Sequence, residues 1–69
     1  MSNIYQIQLQ GYLDQRWADW FEPLRIEHQP DGQTWLTGPL RDQAELHGVL
    51  NKVRDLNLVL VAVQTVTSP

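Results

Sequence analysis

The chain predicts an α+β domain of the ferredoxin-like βαββαβ plan, a four-stranded antiparallel sheet with two helices on one face. Three observations predict it. Residues 4–10 alternate between Tyr5, Ile7 and Leu9 on one side and Gln6, Gln8 and Gln10 on the other, the two-residue period of a half-buried strand. The stretch GPLRDQAELHGVLNKVRDLNLVLVAV, residues 38–63, passes almost without a loop from a capped amphipathic helix into a strand that is apolar on both faces. Between these two regions Gln29-Pro30-Asp31-Gly32 marks a tight hairpin, so the order reads strand, helix, strand, strand, helix, strand. In that plan strand 1 is central and strand 4 lies beside it at an edge.

Each element has its own local reason. Strand 1 ends at Gly11. Asp14 is a candidate cap for a short first helix, with Leu13, Trp17, Trp20, Phe21 and Leu24 spaced to gather on one side and Pro23 to stop it. Leu24, Ile26 and His28 then alternate with Arg25, Glu27 and Gln29 as strand 2. A type I turn with Pro30 second and Gly32 in the left-handed position makes a three-residue hairpin loop. This loop pairs Gln29 with Gln33, Glu27 with Trp35 and Arg25 with Thr37, and it turns Trp35 away from the core; a loop one residue longer would reverse every side chain of strand 3. In the second helix, Asp42 and Glu45 form a capping-box-like start, Leu46, Val49, Leu50 and Val53 form the apolar stripe, and Asn57 is placed to end it in the left-handed conformation. Strand 4 is expected as LVLVAV, residues 58–63, with a polar tail from Gln64. A single domain over 1–66, followed by a short polar tail at 67–69, is the expected organisation.

Composition narrows the functional classes. A chain of 69 residues allows one domain with a thin balance between apolar burial and chain entropy. There is no cysteine, hence no disulfide or thiolate ligand to staple it, and self-association becomes a natural substitute. The start MSNIYQIQLQ has no signal-peptide character, and the longest apolar run, residues 58–63, is far too short for a membrane span, so a soluble cytoplasmic protein is expected. Net charge is −3, with the five basic residues scattered singly. That distribution argues against nucleic acid and against an anionic membrane, both of which draw affinity from clustered Lys and Arg.

Two segments carry a family resemblance. GYLDQRWADWFEPLRI from Gly11 to Ile26, and DGQTWLTGPLRDQAELHGVLNKVRDLNL from Asp31 to Leu58, combine WxxWF with DQAxLHG and KxRDL. On these motifs the chain resembles a family of very short, uncharacterised bacterial single-domain proteins with no assigned activity. The resemblance covers most of the chain and implies a stand-alone domain of this fold without a catalytic site. Asn57 and Val59 depart from the Gly and Pro that the family pattern tends to carry after the last helix, and the missing proline removes one device that blunts an edge strand.

No residue pattern points to catalysis. There is no glycine-rich phosphate loop, no nucleophile-elbow serine and no pair of carboxylates at strand ends, so no catalytic residue and no cofactor are expected. His28 and His47 lack the third ligand that zinc requires, so no metal is expected either. Trp17, Trp20 and Phe21 read as core before they read as a ligand pocket, and Asp14, Asp19 and Glu22 as solvated charges.

Two surfaces remain as candidate interfaces. One is the outer face of helix 2, where Ala44 and Gly48 form a small-residue pair. The other is the open sheet face, expected to show Gln6, Gln8, Gln10, Arg25, Glu27, Trp35 and Thr37, together with either Val59, Val61 and Val63 or Leu60 and Ala62 of strand 4. The favoured expectation is a non-enzymatic interaction or regulatory module that forms a homodimer through this face, with another protein as the other partner considered. The alternative is a small-ligand binder or small enzyme with a pocket near Tyr5, His47, Trp17 and Trp20, between sheet and helices or between subunits. A single-stranded nucleic acid platform has only Trp35 correctly placed and ranks last.

Overall fold

A computed structural model describes residues 3–66. Its elements are β1 (Asn3–Gln10), a short 3-10 turn (Gln15–Trp17), β2 (Arg25–His28), β3 (Gln33–Leu40), α1 (Gln43–Asp55) and β4 (Val59–Val66). The four strands form one antiparallel sheet in the order β2-β3-β1-β4. β1 is internal and β4 lies beside it at an edge.

The ferredoxin-like plan with two helices is not what forms, because the first helix is absent. Asp14 does cap, accepting from the Arg16 backbone N–H at 2.9 Å. Beyond it the chain winds mainly through three-residue turns: Trp17 N–H to Asp14 O, Ala18 to Gln15, Trp20 to Trp17, Glu22 to Asp19 and Leu24 to Phe21. Only the Phe21 N–H also reaches back four residues, to Trp17 O. The spacing of apolar residues suits either kind of winding, and length decides between them. Eight residues separate Asp14 from Pro23, whereas an α-helix needs about 12–15 to offset nucleation on its own. Trp17, Trp20 and Phe21 further lose rotamer freedom in a regular helix.

This irregular segment, residues 11–24, is nevertheless half of the second layer. Phe21, Leu13 and Leu24 are buried with Ile7, Leu9, Ile26, Leu36 and Leu40 from the sheet and Val49 and Val53 from α1. Buried Thr34 of β3 fastens it: its hydroxyl accepts from the Leu13 N–H at 3.1 Å and donates to Gly11 O at 2.7 Å. Gly38 lets the chain pass close over β3, since a Cβ there would stand 2.8 Å from Pro23 O and 3.0 Å from Leu24 Cα.

The hairpin register is the predicted one, with Arg25 opposite Thr37, Glu27 opposite Trp35 and His28 opposite Thr34. Gly32 takes φ +91° and donates to Gln29 O at 3.1 Å, and Gln29 donates to Gln33 O at 2.8 Å. In α1, Asp42 accepts from the Glu45 N–H, while the Glu45 carboxylate turns back to the Arg41 N–H at 2.6 Å rather than to the cap residue itself. Asn57 ends the helix at φ +63°. Its N–H reaches Arg54 O and that of Leu58 reaches Val53 O, the two bonds of a Schellman motif.

Two expectations for β4 need correction. The strand runs on to Val66 instead of yielding to a tail at Gln64, because Gln64, Thr65 and Val66 pair with Gln6, Tyr5 and Ile4. The tail expected at 67–69 lies outside the described residues. Neither choice of facing for β4 holds along its length, because a β-bulge between its two halves changes the parity. Val59 and Ala62 stand opposite Gln10 and Gln8, Leu60 and Val63 stand opposite Leu9 and Ile7, and Val61 is the extra residue.

Candidate functional site

Directly opposed residues of an antiparallel pair share a face, so the register lays out the open face in rows. Arg25, Thr37, Gln6 and Gln64 form one row, and Glu27, Trp35, Gln8 and Ala62 the next. Gln33, Gln10 and Val59 follow toward one end, and Pro39, Ile4 and Val66 lie toward the other. Seven of the expected interface residues, Gln6, Gln8, Gln10, Arg25, Glu27, Trp35 and Thr37, are thus brought together. Ala44 and Gly48 lie on α1, apart from this face, and both are exposed. Nothing stands within 4 Å of a Cβ built on Gly48.

The polar part of the open face bonds largely within itself. Gln6 Oε1 accepts from Gln8 Nε2 at 3.0 Å and from Gln64 Nε2 at 2.7 Å. Trp35 Nε1 donates to Gln33 Oε1 at 3.1 Å, and the Thr37 hydroxyl donates to Glu27 Oε1 at 3.2 Å. Trp35 is half-buried by its neighbours.

Among the described residues β4 has no such cover. Val59, Leu60, Val61, Val63 and Val66 are 37–63% exposed, as is the adjoining Ile4 of β1. Sequence reasoning expected helices to shield one face of this strand, but Leu60 and Val63, which share the core-facing side with Leu9 and Ile7, are as open as the rest. α1, the crossover from β3 to β4, leaves both exposed. Four strands about 4.8 Å apart make a sheet roughly 15–19 Å wide, and a helix with its side chains covers only about 10–12 Å. Residues 11–24 complete the cover over β2 and β3, on the side away from β4.

The chain carries no charged residue after Asp55. Among the described residues no side chain hydrogen-bonds to the β4 backbone, whose outer N–H and C=O groups form an open edge eight residues long. Ile4, Val66 and the bulge at Val61 are the contributors that sequence reasoning missed or could not orient. The two-sided apolarity of β4 was visible beforehand; the bulge has no signature in the residues around it.

The residues suggested for a ligand pocket do not enclose one. Tyr5 packs partly buried against the core and His47 is exposed on α1. The Trp17 and Trp20 rings lie 5.2 Å apart, with Arg16 over the first and Lys52 over the second. Two depressions on the surface are open: one beside β2 is lined by Gln15, Ala18 and residues 22–27, the other by Arg16 and Trp17. His28 is held at the rim, stacked 4.5 Å from the Tyr12 ring, with Nε2 donating to Leu13 O at 2.6 Å. Among the described residues no three His, Asp or Glu side chains are grouped to hold a metal, and no helix is long and apolar enough to cross a membrane.

Fold and site together define a small α+β domain, one helix and an irregular strap over a four-stranded sheet, whose distinguishing feature is a surface. The chain belongs to the family described as Domain of unknown function (DUF8691), whose model matches residues 4–64. No curated protein and no solved structure matches it.

Proposed function

We propose that this protein is a non-enzymatic interaction module that works by associating with itself, through the β4 side of its sheet, in the cytoplasm. The observation that carries the reading is the exposure of Ile4, Val59, Leu60, Val61, Val63 and Val66 in one contiguous region without a single charge. Soluble domains usually cover such a patch or break it with lysine or proline. A fully buried side chain of this kind contributes about 1.5–3 kcal/mol, so six that are roughly half exposed leave on the order of 6 kcal/mol per copy unrealised. Two copies together bring about twice that, against an association cost of about 4–15 kcal/mol, which points to a weak, concentration-dependent dimer. A cysteine-free chain suits a reducing compartment. The two surface depressions described above are open to solvent, which weighs against the small-ligand reading.

Light scattering from micromolar to millimolar protein tests the proposal. A rise in mass toward that of two chains is expected, and a strict monomer across the range would sink it.

A further inference from the structure

Self-association of the kind proposed above leaves the mode of contact open, and the two edges of the sheet differ enough to decide it. We infer that two copies join edge to edge, β4 against β4 in antiparallel pairing about a two-fold axis, to make one continuous eight-stranded sheet. The inference rests on the self-association reading and specifies its partner surface.

Three observations point to the edge rather than the open face. The face has already spent its polar groups internally, with Gln8 and Gln64 both donating to Gln6 and Trp35 donating to Gln33. The β4 edge, by contrast, offers a row of backbone donors and acceptors that the described residues leave unbonded. Apolar side chains are exposed on both sides of β4, Val59 and Val66 on the open side and Leu60 and Val63 on the other. A partner packed on one face covers only one of these sets, whereas a strand added at the edge brings its own apolar residues alongside both.

The partner is a second copy on grounds of charge and symmetry. The molecule is acidic overall, yet no side chain of β4 is charged, so two β4 strands meet without like-charge repulsion between their side chains. An antiparallel strand pairs with its own copy by a two-fold rotation, which closes the contact at a dimer. The other edge does not compete. β2 is four residues long, carries Arg25 and Glu27, and has its Ile26 carbonyl occupied by Gln15 Nε2 at 3.2 Å, so a head-to-tail chain of β4 on β2 is blocked. Beyond the bulge, residues 62–66 pair regularly with β1, and this stretch places the axis at or next to Gln64.

Amide hydrogen exchange at dilute and concentrated protein tests the mode, with light scattering run on the same samples. The expected result is that every second amide of residues 62–66, those not bonded to β1, slows at least tenfold as the dimer forms. Because the chain has no cysteine, single-cysteine variants at Val63, Gln64 and Thr65 locate the axis: the one that sits on it is expected to cross-link under mild oxidation, its neighbours lie too far from their own copies to do so, and Gln8→Cys is not expected to cross-link. Thr65→Lys should raise the dimer dissociation constant at least tenfold while Trp35→Ala changes it less than threefold. A dimer that leaves those amides unprotected, or that Trp35→Ala breaks and Thr65→Lys spares, overturns edge pairing and leaves self-association standing. A monomer at all concentrations overturns both. If Thr65→Lys fails to fold, the exchange pattern of the unmodified chain still decides.

Discussion

The two edges of one sheet are built in opposite ways. β2 is short, charged and roofed: Gln15 bonds its outer carbonyl at Ile26, His28 is tied to Leu13, and Pro23 and Leu24 pass close over Gly38 next door. β4 is twice as long and uncharged, and among the described residues its only blunting device is the bulge at Val61. What the difference teaches is that the segment between β1 and β2 is the protected edge's cover. It lies on the side of β2 and β3, and the residues of β4 at the opposite edge stay exposed.

The contrast can be broken most severely at the anchor of that cover. Phe21→Ala removes a fully buried ring from the core and is expected to cost about 3–5 kcal/mol in urea or thermal unfolding. Gly38→Ala comes next. The added methyl meets backbone at Pro23 and Leu24, which cannot swing away as a side chain can, and a loss of about 3 kcal/mol is expected from the forced shift. Thr34→Val keeps the shape but leaves the buried Leu13 N–H and the Gly11 carbonyl without their partner, for about 2 kcal/mol.

Gln15→Ala sharpens the comparison rather than destroying it. It frees the Ile26 carbonyl at the β2 edge, and about 1 kcal/mol of stability should go with the hydrogen bond. The charges of β2 remain, so light scattering should show no added association. Smallest of all is Gly48→Ala, where open space surrounds the new methyl. The helix should gain about 0.5–1 kcal/mol, read as a higher melting temperature. An unchanged dimer dissociation constant in the same variant would place the helix face of Ala44 and Gly48 outside the contact.

Much of this architecture was legible in residues close together in the chain. The hairpin register followed from Pro30, Asp31 and Gly32, because a turn of fixed length sets every pairing beyond it. The second helix and its stop at Asn57 followed from caps and stripe. The first helix misled, because Leu13, Trp17, Trp20, Phe21 and Leu24 satisfy a helical period without the length to sustain it. For the candidate surface, the open-face row from Arg25 to Gln6 was readable from that same register. The double exposure of β4 was not, since it depends on how far α1 reaches over the sheet and on a bulge with no local signature.

By itself, then, the amino-acid order determined the strand alternation, the turn, the cap and the uncharged final segment, all of which arise from interactions within a few residues. Only the tertiary structure decided that residues 11–24 fold as a strap, that a bulge at Val61 splits the facing of β4, and that this strand stands open on both sides. Those outcomes depend on competition among distant segments for one small core, where sheet width, helix diameter and the fit of a few large side chains settle which surface is covered.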